Sequence, residues 1–180
     1  MSSEPITRLY DSMREVPEFP EPGILFYDIT PLLLNQELLS LAVEQLAEPV
    51  RALRVERVMA IESRGFIFGA PLAMELGAGL VLARKPGKLP WKTRRADYSL
   101  EYGTDAIEMH IDSIEPGQRV LVVDDLLATG GTAEAAAKLV SDAGAELVGF
   151  SFLVELAFLS GRERLHGFDV FSVLKYPRSE

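Results

Sequence analysis

Asp124 and Asp125 stand side by side between the apolar, mostly β-branched run Val120-Leu121-Val122-Val123 and the small turn Ala128-Thr129-Gly130-Gly131-Thr132. The run predicts a buried strand ending at the carboxylates. Ala133-Glu134-Ala135-Ala136-Ala137-Lys138-Leu139-Val140 then predicts a helix of high propensity. Strand, acidic pair, glycine-bearing turn and helix, in that order, build a site at the carboxyl end of a strand in an open α/β sheet. Turn amides and a helix N-terminus suit a phosphate. The carboxylates before them suit hydroxyls or a metal, and a ligand with both parts is a sugar phosphate. Neither Gly-x-Gly-x-x-Gly nor Gly-x-x-x-x-Gly-Lys-Ser/Thr occurs in this run, so the dinucleotide fingerprint and the Walker-type loop both fail. The plainer reading is an acidic strand end followed by a helix capped by Thr129 or Thr132.

Two further polar groups follow apolar runs. Glu62-Ser63-Arg64-Gly65 is a short turn after Val58-Met59-Ala60-Ile61. After Leu80-Val81-Leu82-Ala83, the residues Arg84, Lys85, Lys88, Lys92, Arg94 and Arg95 place six of the 18 basic residues within twelve positions. A basic island in an acidic chain is a candidate anion site, with a solvated loop as the plainer reading. The carboxyl ends of strands in an open parallel sheet share one crevice. One crevice would then hold an arginine turn, a basic loop, two carboxylates and a phosphate-cradling turn. That inventory suits a ligand with phosphates at both ends and hydroxyls between.

The elements that must position these groups can be read in order. Ile6, Leu9, Tyr10 and Met13 predict a short amphipathic helix within 4–15, stopped by Pro17, Pro20 and Pro22. The stretch from Phe19 to Leu33 is apolar yet bounded by Pro and Gly, either a tucked connection or a lid over a flat ligand. Asn35 is a candidate cap for a helix over 36–53. Phe66 to Leu76 predicts a buried helix ended by Gly77. Residues 98–102 and 106–111 alternate, which predicts a flap-like hairpin linked through Gly103-Thr104. Strands are expected again over 147–154 and 170–174, with a short helix or turn over 157–165. Strands alternate with helices, so the class is α/β with a mostly parallel sheet.

Composition bounds the rest. A chain of 180 residues, 48% hydrophobic and 25% charged, fits one domain with a sizeable core. No apolar run approaches the length of a membrane span. Charges at Glu4, Arg8, Asp11, Arg14 and Glu15 break any signal-peptide core. With no cysteine, disulfides and thiolate metal sites are excluded, and neither His110 nor His166 has a partner at zinc-ligand helical spacing. A cytoplasmic location is expected. The net charge of −9 argues against a dedicated nucleic-acid binder.

The run from Val120 to Thr132 closely resembles the phosphoribosyl-pyrophosphate motif of the type I phosphoribosyltransferases. Nearly the whole chain resembles the adenine-using branch of that family. The matching stretches are 22–26 with Asp28-Ile29-Thr30-Pro31, then 63–69, 84–90, 99–103, 124–132, and Val154-Glu155-Leu156 with Gly161-Arg162. The resemblance implies one domain over 1–180, a mostly parallel sheet flanked by helices. It carries an N-terminal hood over about 1–35 and a flexible loop and flap over about 84–111. It implies transfer of a phosphoribosyl group from phosphoribosyl pyrophosphate to adenine, giving AMP and pyrophosphate, with Mg²⁺ required and a homodimer as the assembly.

Residue roles follow from the same resemblance. Asp124 and Asp125 would meet the ribose hydroxyls, with Mg²⁺ held near them mainly by substrate and water. Ala128, Thr129, Gly130, Gly131 and Thr132 would hold the 5-phosphate. Ser63, Arg64, Arg84, Lys85 and Lys88 would meet pyrophosphate, with a non-proline cis peptide at the Ser63 turn. Glu101 would exchange a proton with adenine, and Tyr102 would help close the flap. Backbone groups at Leu25 and Tyr27 would choose adenine, between Phe26 and Leu156. Tyr27 departs from the family, which usually has Arg or Lys there. Transfer to another purine, hypoxanthine or guanine, is the first alternative. A non-catalytic purine-sensing regulator is the second, although such a protein usually carries an added DNA-binding segment.

Overall fold

Val120, Leu121, Val122 and Val123 are all fully buried, which a strand achieves only between two covered faces. They belong to β7 (Arg119–Leu127), the middle of a five-stranded parallel sheet. Its other strands are β3 (Arg57–Ile61), β4 (Gly79–Ala83), β8 (Glu146–Leu156) and β9 (Val170–Tyr176), in the order β4-β3-β7-β8-β9. The structure, a computed structural model, describes residues 4–100 and 103–177.

Period-two alternation sends successive side chains of the sheet into two cores. Met59 and Ile61 of β3 and Val120 and Val122 of β7 pack on one side with Leu139 and Val140. The latter two belong to α5 (Gly131–Asp142). Antiparallel strands β5 (Thr93–Leu100) and β6 (Gly103–His110) close that side through Ala96, Tyr98, Ile107 and Met109. On the other side Val58, Ala60, Leu121 and Val123 meet Ala42 and Leu46 of α3 (Gln36–Ala47) and Phe68 and Leu72 of α4 (Gly65–Leu76). There α1 (Glu4–Ser12) and α2 (Thr30–Leu34) contribute Leu9 and Leu32.

Local chemistry sets the element ends. Asn35 Oδ1 accepts from the amides of Glu37 and Leu38, the expected N-cap of α3. That helix does not run to residue 53: a 3₁₀ turn takes over at Glu48–Leu53, where Pro49 has no N–H to continue the α ladder. Gly77, left-handed at φ 66°, ends α4 with its N–H on the carbonyls of Ala73 and Met74. Gly69 lets α4 seat on the sheet, since a Cβ there would lie 2.4 Å from Ala60 Cβ.

Within the stretch expected as a hood, β1 (Arg14–Pro17) and β2 (Leu25–Asp28) form an antiparallel pair with Val16 opposite Phe26, where the sequence led to a helix end and a connection or lid instead of strands. The strand before the acidic pair does not stop there, because pairing with β8 continues through Leu127 opposite Glu155. Gly103 and Thr104 are not the flap turn, since they are already paired with Leu100 and Ser99 in the ladder. The β5 strand also starts earlier than the alternation suggests, at Thr93, absorbing the end of the basic stretch. No helix among the described residues is long and apolar enough to cross a membrane.

Candidate active site

Asp124 and Asp125 are consecutive in a strand, so ideal geometry would send their side chains to opposite faces. Both nevertheless line a single cavity of about 310 Å³ with Glu62, Ser63, Arg64 and Leu126. The alternation reverses at this point. Before the pair, even-numbered Val120 and Val122 face the α5 core, whereas beyond it odd-numbered Leu127 does and Leu126 packs against the opposite core. That local rotation of β7 brings both carboxylates to the same cleft at the carboxyl end of the sheet.

The two carboxylates differ in environment. Asp124 Oδ1 accepts the Asp125 amide at 2.8 Å and sits against the start of α4. A Cβ at Gly65 would lie 2.8 Å from that oxygen, so glycine is what lets the helix N-terminus approach the carboxylate. Burial pushes the Asp124 carboxyl well above the usual carboxylate range, and the neighbouring charge of Asp125 adds to it. Asp125 is held by Arg64, whose Nε is 2.6 Å from Oδ2. The Arg64 guanidinium also lies 5.7 Å from the centre of the Phe26 ring, joining the cleft to the hood. The Glu62–Ser63 peptide is cis, at the turn where the family resemblance implies one.

A second chamber of about 80 Å³ adjoins the first, and Asp124 and Leu126 line both. Its wall is the turn, through Ala128, Thr129, Gly130 and Thr132, with Phe152 opposite. Gly131 begins α5 and is buried. The capped-helix reading of this turn fails. Gly130, left-handed at φ 84°, is the N-cap, and no side chain caps the helix. The threonines are therefore not used as caps, and the turn amides head a helix of 12 residues.

The basic loop is gripped by acidic groups. Glu62 Oε2 accepts from the Lys85 amide at 2.9 Å and from Arg84 Nε at 3.2 Å. Arg84 also donates to the Lys88 carbonyl. Lys85 pairs with Asp105, which also accepts the Tyr98 hydroxyl. That contact raises the Lys85 pKa and lowers that of Asp105. The exposed Lys88 and the two paired cations do not line the 310 Å³ cavity. The sequence alone gives no role to Glu62 or Asp105. Glu62 had a signal, its place in the 62–65 turn, whereas Asp105 had none, because its partner is 20 residues away.

In the hood, Phe26 and Asp28 share one face of β2 and line a mostly apolar pocket of about 230 Å³ with Val16 and Phe19. Asp28 accepts from the amide and hydroxyl of Thr30, which hold its carboxyl below the usual range. Tyr27 points to the opposite face and stacks on Tyr176 of β9 at 3.8 Å between ring centres. Leu25 is half-buried in β2, and Leu156 is half-buried at the end of β8, paired with Tyr176. Glu101 and Tyr102 lie outside the described residues.

A family model described as a phosphoribosyl transferase domain matches residues 34–173. The adenine phosphoribosyltransferase of Solibacter usitatus is 57% identical over 166 residues, covering 92% of this chain and 96% of that protein. A crystal structure of adenine phosphoribosyltransferase from Rhodothermus marinus superimposes with a TM-score of 0.92 at 55% identity, covering 97% of this chain and all of that one. The Saccharomyces cerevisiae adenine phosphoribosyltransferase, solved with an imino-altritol bisphosphate and adenine, gives 0.90 at 38% identity, covering 94% and 98%. This chain therefore belongs to the phosphoribosyltransferase family, within its adenine phosphoribosyltransferase branch.

Proposed function

We propose that the chain transfers the 5-phosphoribosyl group of phosphoribosyl pyrophosphate to adenine, giving AMP and pyrophosphate. The observation that carries the reading is the contiguity of the site. The phosphate-sized chamber and the larger acidic cavity share Asp124 and Leu126, and Arg64 bridges that cavity to the Phe26 face of the hood. The smaller chamber would take the 5-phosphate and the acidic cavity the ribose, with pyrophosphate and the flat base on opposite sides of ribose C1, where one bond forms as the other breaks.

Each residue then has a task. The amides of Ala128 to Thr132 and the hydroxyls of Thr129 and Thr132 grip the 5-phosphate. Asp124 and Asp125 accept from the ribose hydroxyls and set negative charge beside the ring as it becomes cationic. Ser63 and Arg64 meet the pyrophosphate, and Arg84, Lys85 and Lys88 join them. Arg84 and Lys85 exchange Glu62 and Asp105 for the stronger anion. Adenine N9 bonds to ribose C1 as the bond from C1 to the pyrophosphate oxygen breaks, and that electron pair leaves with pyrophosphate. Glu101 takes the proton from N7, and Tyr102 helps exclude water. The Leu25 carbonyl accepts from the 6-amino group, the Tyr27 amide donates to N1, and Phe26 and Leu156 cover the ring faces. Hypoxanthine would set an oxygen against that carbonyl, and mismatched buried polar groups discriminate by ~10⁴–10⁵.

Among the described residues no group of three or more His, Cys, Asp or Glu forms a metal cage. The two cleft carboxylates fit the sparser protein contribution that Mg²⁺ accepts when substrate and water supply the rest. Bound there, it would neutralise the leaving pyrophosphate.

The reading includes a domain over 1–180 with its hood and flexible flap, in the cytoplasm, working as a homodimer. Support for the homodimer is the apolar outer face of α4 and β4, where Ile67, Met74, Leu80 and Leu82 are exposed. Incubation with phosphoribosyl pyrophosphate, Mg²⁺ and adenine, hypoxanthine or guanine separately tests the function. Fast AMP formation is expected, lost on chelation. IMP or GMP formation as fast as AMP formation would reject the assignment.

A further inference from the structure

The phosphate turn is held from behind by a neighbouring backbone. A Cβ at Gly161 would lie 2.2 Å from the Ala128 carbonyl oxygen, and a Cβ at Gly130 would lie 2.5 Å from the Gly161 carbonyl oxygen. Two glycines are thus packed against each other's chain, one inside the turn and one outside it. Even one methyl group on either has no room without moving backbone. The turn has no side-chain cap of its own, and this contact is one restraint on its position beside the β7–β8 ladder and α5.

Gly161 is itself fixed by the residue after it. Arg162 makes a two-pronged contact with Glu155, Nε to Oε1 at 2.6 Å and a terminal nitrogen to Oε2 at 2.7 Å. It also donates to the Val170 carbonyl at 2.8 Å and to the Ser172 hydroxyl at 3.2 Å. Glu155 is 4% exposed and lies in β8, opposite Leu127, the residue that leads into the turn. Burial pushes the Glu155 carboxyl up, but Arg162 and Ser172 outweigh it and hold it ionised. On the far side Leu165 is buried in the α5 core. The segment 161–165 is therefore clamped to both the sheet and α5.

We propose that Gly161 is a positioning residue for the phosphate turn, and that the Arg162–Glu155 pair sets its place. The inference rests on the reading of Ala128 to Thr132 as the 5-phosphate grip. The pair touches no substrate. It acts by holding one backbone against another, so that the turn amides converge on one point.

Ribose 5-phosphate and pyrophosphate are the probes, because they report opposite ends of the cleft. In Gly161→Ala we expect ribose 5-phosphate binding to weaken, and KM for phosphoribosyl pyrophosphate to rise, by about tenfold or more, as displaced positioning groups do. Pyrophosphate and adenine binding should stay within about twofold. Arg162→Lys keeps the charge but loses the fork, and should show the same split at smaller size. It serves as the test if Gly161→Ala does not fold. Unchanged ribose 5-phosphate binding in a folded variant, or equal weakening of all three ligands, would overturn the proposal. A wild-type protein that binds pyrophosphate but no ribose 5-phosphate would overturn the phosphate reading, and this inference with it.

Discussion

Arg64 Nε lies 2.6 Å from Asp125 Oδ2, and the same guanidinium sits 5.7 Å from the centre of the Phe26 ring. One side chain thus touches the acidic cleft at the sheet edge and the aromatic face of the hood. Its backbone supplies the N-cap of α4, so its position is set by the seating of that helix. Arg64→Ala should lower kcat/KM by ~10²–10³, the scale of losing one preorganised charge-stabilising donor. Steady-state kinetics with both substrates varied would check this, and a loss confined to adenine KM would contradict the pyrophosphate role.

Asp124 is an ionisable group placed where ionisation is unfavourable. Its folded pKa is raised above the ordinary value of 3.8 by burial, then by Asp125. In the window from 3.8 up to that raised value the folded state carries a proton that the unfolded state lacks. Stability contributed by this group is therefore present below the window and lost as pH rises through it. Asp124→Asn should flatten that loss and raise Tm at neutral pH while abolishing most activity, a stability–activity exchange common at binding sites. Melting curves across pH 3–8, with activity at one pH, are the measurement.

Tyr27 stacks on Tyr176, and Tyr10 meets Tyr176 edge-on at 5.5 Å. The aromatic cluster ties β2 of the hood and helix α1 to the last strand of the sheet. Tyr176→Ala should cost ~0.5–1.5 kcal/mol beyond the lost area burial, as aromatic pairs do. It should also raise adenine KM more than that for phosphoribosyl pyrophosphate, because the amide at residue 27 is on the moved strand. Tyr176→Phe should restore both. Denaturant unfolding and two-substrate kinetics would separate the effects.

Glu101→Gln should keep both substrates bound while slowing the chemical step by ~10²–10⁴, the usual scale of acid–base assistance. Single-turnover quench experiments read the step directly. An unchanged single-turnover rate would remove Glu101 from catalysis.

Much of the candidate site is legible in the sequence because its pieces are contiguous. The run from Asp124 to Thr132 carries its strand, acidic pair and turn within one stretch, and the arginine turn and the basic loop each follow an apolar run that proved to be a sheet strand. What spacing could not supply is which charges meet. Lys85 with Asp105, and Arg162 with Glu155, are pairings made by folding, as is the hold of the Glu62 carboxylate on the basic loop. By the resemblance, Tyr27 stands where Arg or Lys is usual. Its ring turns away from the Phe26 face and stacks on Tyr176, a contact that spacing does not announce.

The sequence by itself determined the α/β class, the alternation of strands and helices from Asn35 onward and the family resemblance, because alternation, helix caps and motifs are local properties of the chain; β1, β2 and α2, in the Pro-punctuated stretch before Asn35, were not among the elements it showed. Only the tertiary structure decided that Asp124 and Asp125 share one cleft. A strand read from its pattern puts neighbours on opposite faces, and the rotation of β7 that overrides this is visible in the packing of Leu126 and Leu127 into cores opposite to those the alternation assigns them. The tertiary structure likewise decided that Gly130 and Gly161, far apart in the chain, lie backbone to backbone at the 128–132 turn. Contacts of that kind have no periodicity to announce them, since a glycine records only that space is short and not what fills it.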